Sequence, residues 1–214
     1  MHIYWCPLIK TSKLIFIRHA PVKTEVDCFP DNDPDAIIDE LKIKKLAGHI
    51  PEDCLWYVSP LKRTVQTANA LSKYVNVKEM KFEKRLKEQN FGDWAGKKIS
   101  EVWKELKNNT SQHNFSFICP EVSPPKGENF LTILERVSIW LEELHFHDPQ
   151  TAVIITHAGI IRGTLSFVLG IEPDKVIGIE ISHLSLTGVE FLSKTDDINR
   201  GGRFRILAIN NKAD

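Results

Sequence analysis

No stretch of this chain approaches the roughly twenty consecutive apolar residues of a membrane-spanning helix, so no membrane span is expected. Neither sign of charge is in excess: Lys+Arg 28 and Asp+Glu 28 cancel. Without a net field the chain has no long-range means of gathering nucleic acid or an anionic membrane, and any anion must be held by a local cluster. Cysteine is scarce: Cys6, Cys28, Cys54 and Cys119 lie far apart with no CxxC pair. They read as free thiols of a reducing compartment. Repeats and low-complexity tracts are absent. The opening MHIYWCPLI lacks a basic region and is broken by Pro7, which argues against a signal peptide and for an irregular leader or short edge strand. The expected location is cytoplasmic.

What is present suits one soluble domain over residues 1–214, 42% hydrophobic and 26% charged, large enough for a full core. The most informative stretch is LIFIRHA, residues 14–20. Four apolar residues run straight into Arg18 and His19, which reads as a strand buried on both faces with two polar residues at its C-terminal end. Open α/β sheets bind ligands at that end. TAVIITH, residues 151–157, repeats the arrangement and ends in His157.

Between these strands the pattern alternates. PVKTEVDCFPDNDPD is a loop by its prolines and Asp/Asn residues. Asp35 is the expected cap of a helix with Ile37, Ile38, Leu41, Ile43 and Leu46 on its apolar face. LWYVS (55–59) is a strand, and Pro60 suits the first turn of a helix carrying Leu61, Val65, Ala68 and Leu71 on one stripe and Arg63 near its start. A short strand at Met80 to Phe82 leads to a structured loop from Glu88 to Gly96, then a helix from Ser100 to Leu106 with Ser100 as its cap. Residues 107–128, polar, Pro-rich and carrying Phe115 and Phe117, read as an insertion or lid. A helix over about 129–145 carries Leu131, Leu134, Val137, Leu141 and Leu144. TAVIITH and the helix AGIIRGTLSFVLG follow, then strands VIGIEI, SLTGVEF and RFRILAI, with a polar hairpin at Asp196 to Gly202. The alternation predicts a three-layer α/β/α sandwich whose central sheet is mainly parallel, with late strands able to pair antiparallel.

Arg18, His19, Arg63 and His157 all fall at strand ends or in the first turn of a following helix. Two guanidiniums and a helix N-terminus suit a phosphoryl group. Nearby arginines favour a neutral His19, and a neutral imidazole is a nucleophile. His145 and His147 lack a carboxylate or cysteine partner at zinc spacing, so no metal site is expected there. His113 and His183 read as surface or structural histidines, and Glu128 as a favourable charge at a helix N-terminus.

LIFIRHA, SPLKRTVQTA, LKEQNFGDWAG and ITHAG, in this order, resemble the histidine phosphatase superfamily, in its phosphoglycerate-mutase-like branch. The FGDWAG motif with the later PPKGENF is similar to bacterial α-ribazole phosphatases and broad-specificity phosphatases. The resemblance implies a phosphoglycerate-mutase-like fold with His19 as the nucleophile that becomes phosphohistidine. It places Arg18, Arg63, His157 and Ala158 around the phosphoryl group and Glu88 in the position of the proton donor, with Asp93 and Trp94 bracing the loop. It implies no metal and no cofactor. The family usually reads RHGxTxxN, whereas here Ala20 replaces glycine, Val22 replaces Thr/Ser and Glu25 replaces Asn. A glutamate there repels phosphate unless it is turned away.

The reading is therefore a metal-independent phosphomonoesterase acting on a small phosphorylated metabolite, with α-ribazole phosphate as one candidate. Two alternatives stay open. One is a phosphoglycerate mutase, and the other is an inactive phospho-ligand-binding or scaffold protein on the same fold.

Overall fold

β1 (Thr11–Arg18) begins three residues before the apolar run, and its Leu14, Phe16 and Ile17 are fully buried. In chain order there follow α1 (Glu40–Ala47), β2 (Cys54–Val58), α2 (Lys62–Leu71) and β3 (Val77–Phe82). Single 3₁₀ turns at Lys84–Leu86 and Gly92–Trp94 lead to α3 (Ile99–Leu106), α4 (Phe130–Glu143), β4 (Thr151–Thr156) and α5 (Ala158–Leu169). The one-turn α6 (Pro173–Val176), β5 (Ser185–Leu192) and β6 (Phe204–Lys212) complete the order. This computed structural model describes residues 11–106, 113–146, 150–192 and 202–213. The expected N-terminal leader or edge strand, Cys6, His147, the first six residues of the expected lid and nearly all of the Asp196 to Gly202 hairpin lie outside the described residues.

The strands join one six-stranded sheet in the order β3-β2-β4-β1-β5-β6. β3, β2, β4 and β1 are mutually parallel, and β5 and β6 are antiparallel additions on the far side of β1. The sandwich expected from the alternation is what the chain forms. On one face, Leu14, Phe16 and Ile154 pack against Ile133, Val137 and Trp140 of α4 and Ile160 and Leu165 of α5. On the other, Ile17, Trp56, Val58 and Ile155 pack against Ile43 and Leu46 of α1 and Ala68 and Leu71 of α2. Each large side chain so buried contributes about 1.5–3 kcal/mol, and both faces together fix the central strands. A third cluster of Phe29, Phe91, Trp94, Val102 and Ile118 ties together the loops that follow β1 and β3, and here Trp94 braces its loop as expected.

Several local expectations are corrected. VIGIEI is not a strand: Pro173 opens α6, which ends at Val176, and the rest is turn and extended loop. Both edges of β1 are already occupied, by β4 and β5, so Ile177 and Ile181 are buried beneath the helices instead of joining a ladder. α1 starts at Glu40 with Asp39 as its cap, accepting from the amides of Leu41 and Lys42, while Asp35 accepts from Gln66. Ile37 and Leu41 stay exposed. α2 begins at Lys62 with Leu61 as its cap residue, so Pro60 lies before the first turn rather than in it. Ser100 lies inside α3 and donates to Asp27 Oδ2 at 2.6 Å. α4 is rotated, burying Phe130, Ile133, Val137, Trp140 and Leu141 and exposing Leu131.

Candidate active site

In the parallel pairing of β1 with β4, Arg18 lies opposite Thr156. His19 and His157 therefore leave the sheet side by side, with ring centroids 5.0 Å apart. The His19 amide donates to the Thr156 carbonyl (2.9 Å), carrying the ladder one residue beyond the strand. Ser59, just past β2, extends its own ladder in the same way and sets its hydroxyl 2.8 Å from His157 Nε2. Arg63, in the first turn of α2, donates its Nε to His19 Nε2 at 3.2 Å. Asp33 accepts from the Lys62 amide at 2.7 Å and so caps α2 from a neighbouring loop, since Leu61 has no side-chain acceptor.

The His19 tautomer follows from its neighbours. Nδ1 lies 2.6 Å from the Ala20 carbonyl, which can only accept, so Nδ1 carries the proton and Nε2 presents its lone pair. The ring is 4% exposed. Burial pushes its pKa well below the ordinary histidine value; the Ala20 carbonyl opposes this, and Arg63, Arg18 and His183 add to it. The sequence pointed to the arginines as the reason for a neutral His19, but desolvation outweighs them. His157, fully buried, is depressed first by desolvation and then by His19, Arg63 and Arg18.

Arg18 donates Nη1 to the Ile181 carbonyl at 2.5 Å. Its burial lowers the guanidinium pKa to about 10, with Glu88 opposing, so it is still cationic at neutral pH. Burial lowers Arg63 too, and Glu88 and Asp33 oppose. Glu88 faces this cluster from the loop after β3. Its Oε2 accepts from the Gly159 amide at 3.3 Å and its Oε1 from the Gln89 amide at 3.1 Å. Arg136 of α4 clamps that loop, donating to the carbonyls of Arg85 and Lys87, at a longer 3.5 Å to that of Glu88, and to the Glu128 carboxylate at 3.1 Å. Glu128 immediately precedes the Asn129 cap of α4, the helix N-terminus expected of it, and also staples the loop through Arg136 and the Asn90 amide. Ala158, the first residue of α5, lines the same cleft.

The cleft has a volume of about 580 Å³, and Arg18, His19, Arg63, Glu88, Arg162 and His183 all reach it. Asn114 to Ile118 line it as well, with Phe115 80% exposed and Phe117 packed edge-on to Phe29. Glu25 is exposed, 3.9 Å from Cys28 Sγ, and does not line this cleft. The Ala20 side chain is fully buried, and its amide donates to Thr67 Oγ1 at 2.9 Å. Asp93 pairs with Lys126. Among the described residues, no group of three or more His, Cys, Asp and Glu side chains is placed to hold a metal ion.

His183, expected as a surface or structural histidine, lines the cleft instead. His183 stands 5.3 Å from the His19 ring, and burial, with Arg18 and Arg63, lowers its pKa to about 4. Its position depends on Leu184, whose φ of 58° turns the chain into β5, a conformation nothing in a leucine announces. Arg162 and Arg136 drew no reading from the sequence, although Arg162 follows Ala158 by one helical turn and could have been found on that spacing. His113 also proves to be structural in a specific way, linking the Asp174 carbonyl at 2.8 Å to the Phe115 amide at 3.1 Å.

Residues 39–202 match the family model of the histidine phosphatase superfamily (branch 1). The chain belongs to that superfamily. The match starts after β1, so the placement of Arg18 and His19 rests on the geometry above. A phosphoserine phosphatase 1 of Hydrogenobacter thermophilus is 28% identical over 178 residues, covering 76% of this chain and 79% of that protein. Among solved structures, a mycobacterial glucosyl-3-phosphoglycerate phosphatase superposes with a TM-score of 0.72 at 17% identity, covering 94% of this chain and 100% of that one. A phosphoserine phosphatase from Entamoeba histolytica in complex with 3-phosphoglyceric acid gives 0.67 at 19% identity, with 94% and 98% covered. These structures establish the phosphoglycerate-mutase-like fold, and membership of the superfamily makes this histidine phosphatase an enzyme of the phosphatase class.

Proposed function

We propose that this histidine phosphatase hydrolyses a small phosphate monoester through a covalent intermediate on His19. The supporting observation is the Nδ1–H bond to Ala20, which leaves the Nε2 lone pair in a cleft lined by Arg18, Arg63 and Glu88, with the buried His157 ring beside it. A phosphoryl group enters between the two guanidiniums, which neutralise its oxygens. Nδ1 of His157 has no partner among the described residues; we assign it the ring proton, with the Ser59 hydroxyl 2.8 Å away as donor to Nε2, so that a phosphoryl oxygen accepts from Nδ1. The Ala158 amide adds the helix N-terminus.

His19 Nε2 then attacks phosphorus in line. The N–P bond forms as the ester P–O bond breaks, and Glu88 gives its proton to the leaving oxygen. The ring gains positive charge, which the Ala20 carbonyl stabilises. In the second half, a water gives a proton to Glu88 as its oxygen attacks phosphorus. Phosphate leaves and neutral His19 is restored. Of the expected lid, Asn114 to Ile118 line the cleft, and we assign them to cover the leaving group. No step calls for a metal or cofactor, so activity is expected to persist in excess EDTA.

Candidate substrates are phosphoserine, by the Hydrogenobacter relative, and α-ribazole phosphate, by the FGDWAG and PPKGENF motifs. The test is rapid mixing with a phosphate ester, a quench that avoids acid, and mass spectrometry. An acid-labile phosphate on His19 is expected. Its absence, or its presence only on His157, overturns the mechanism. Incubation with 3-phosphoglycerate separates the two enzymes, since inorganic phosphate marks a phosphatase and an isomeric phosphoglycerate marks a mutase.

A further inference from the structure

Arg162 is a cation in the cleft for which the hydrolysis described above has no use. It projects from α5 four residues after Ala158, a rise of about 6 Å along the helix. Its Nε donates to the Ile179 carbonyl at 2.8 Å. Two residues on, the Ile181 carbonyl accepts from Arg18, so one stretch of backbone holds both guanidiniums. The Nη groups of Arg162 make no hydrogen bond or ion pair among the described residues. The charge it feels most is that of Glu88, while burial works against its own. Phe115 reaches the backbone beside this stretch, 3.7 Å from where a Cβ on Gly178 would be, and Ile177 lines the cleft there. A half-buried guanidinium with a free fork, walled by apolar groups, is built to receive a planar anion in bidentate fashion.

We propose that Arg162 determines specificity by binding a carboxylate on the leaving group, which makes the substrates short phosphate esters bearing a carboxylate about one helical turn from phosphorus. The inference rests on the phosphoryl site described under Proposed function. A carboxylate on a three-carbon ester lies four bonds from phosphorus, a span on the order of 5–6 Å, and Arg18 and Arg162, held on carbonyls two residues apart, line the same cleft.

Three esters test this in wild type, Arg162→Gln and Arg162→Lys: O-phosphoserine, O-phosphoethanolamine, which is the same ester without the carboxylate, and p-nitrophenyl phosphate. In wild type, kcat/KM for phosphoserine should exceed that for phosphoethanolamine by roughly 10–100-fold, the scale of one charge-assisted pair. Arg162→Gln should remove most of that preference by lowering phosphoserine turnover, with several-fold smaller losses on the other two esters. Arg162→Lys should restore part of it. No preference in wild type, or an equal fall on all three esters in Arg162→Gln, overturns the assignment while leaving the phosphatase reading in place. Hydrolysis of none of the three by wild type overturns the phosphatase reading, and this inference with it.

Discussion

A methyl group placed on Gly159 would lie 2.3 Å from Oε1 of Glu88. The atom it meets is the tip of a flexible side chain, so the fold can yield cheaply while the carboxylate cannot stay where it is. Gly159→Ala should therefore melt within a few degrees of wild type yet lose activity on alkyl phosphates by at least roughly tenfold, by displacing the general acid. Thermal melts and steady-state rates on the same preparation check this. Unchanged turnover would mean that the position of Glu88 does not matter to the chemistry.

Replacing the carboxylate itself separates its two duties. An alkoxide leaves poorly without a proton, whereas a nitrophenolate leaves largely unaided. Glu88→Gln should slow phosphoryl transfer from alkyl phosphates by the ~10²–10⁴-fold typical of general acid catalysis, with a much smaller effect on transfer from nitrophenyl phosphate. Phosphohistidine should then accumulate for want of a base. Equal losses on both ester classes would make Glu88 a structural residue rather than the acid.

Three histidines at or beside the cleft, His19, His157 and His183, have native pKa values below the ordinary one, the last at about 4. Each takes up its proton more readily unfolded than folded. Their contribution to stability is therefore complete above about pH 6.5, the unfolded value, and is lost as the pH falls from there toward the native values. The melting temperature should drop between pH 7.5 and pH 5, and drop less steeply in His183→Asn. Identical slopes for the two proteins would show that His183 titrates alike in both states.

The two phenylalanines of the lid should part company. Phe117 packs against Phe29 and Phe91, with ring centroids 5.4 and 5.6 Å away, so Phe117→Ala should lower stability by about 1–3 kcal/mol and depress all rates together. Phe115, exposed at the cleft, has little to lose in packing, and Phe115→Ala should reorder the preferred esters at nearly constant melting temperature. The reverse pattern would make Phe115 the anchor.

What the sequence disclosed here tracks how strongly one local signal dominated. LIFIRHA and TAVIITH were legible because an apolar run can be buried on both faces only at the centre of a sheet, which put Arg18, His19 and His157 together before any coordinates. Arg63 was legible through its distance from LWYVS. VIGIEI carried a similar apolar signal and was misread, because whether such a segment pairs depends on a free strand edge, and β5 had taken the one beside β1. His183 was lost with it: its approach to His19 depends on a left-handed Leu184 and on the Leu184 amide donating to the Arg18 carbonyl at 3.0 Å. Arg136 went unseen because its partners are backbone carbonyls some fifty positions away, and such acceptors carry no residue-type signature.

The pairing of Arg18 with Thr156 makes the sheet itself the ruler of the reaction centre. Neighbouring strands lie about 4.8 Å apart whatever their side chains, and His19 and His157 inherit that interval, with rings 5.0 Å apart. Helices and loops around them can drift as substitutions accumulate without changing it. A slip of one position between the two strands, by contrast, would send one imidazole to the opposite face of the sheet. The separation of the two rings is thus quantised by hydrogen-bond register, and evolution can adjust what surrounds the phosphorus far more freely than the spacing of the imidazoles that meet it.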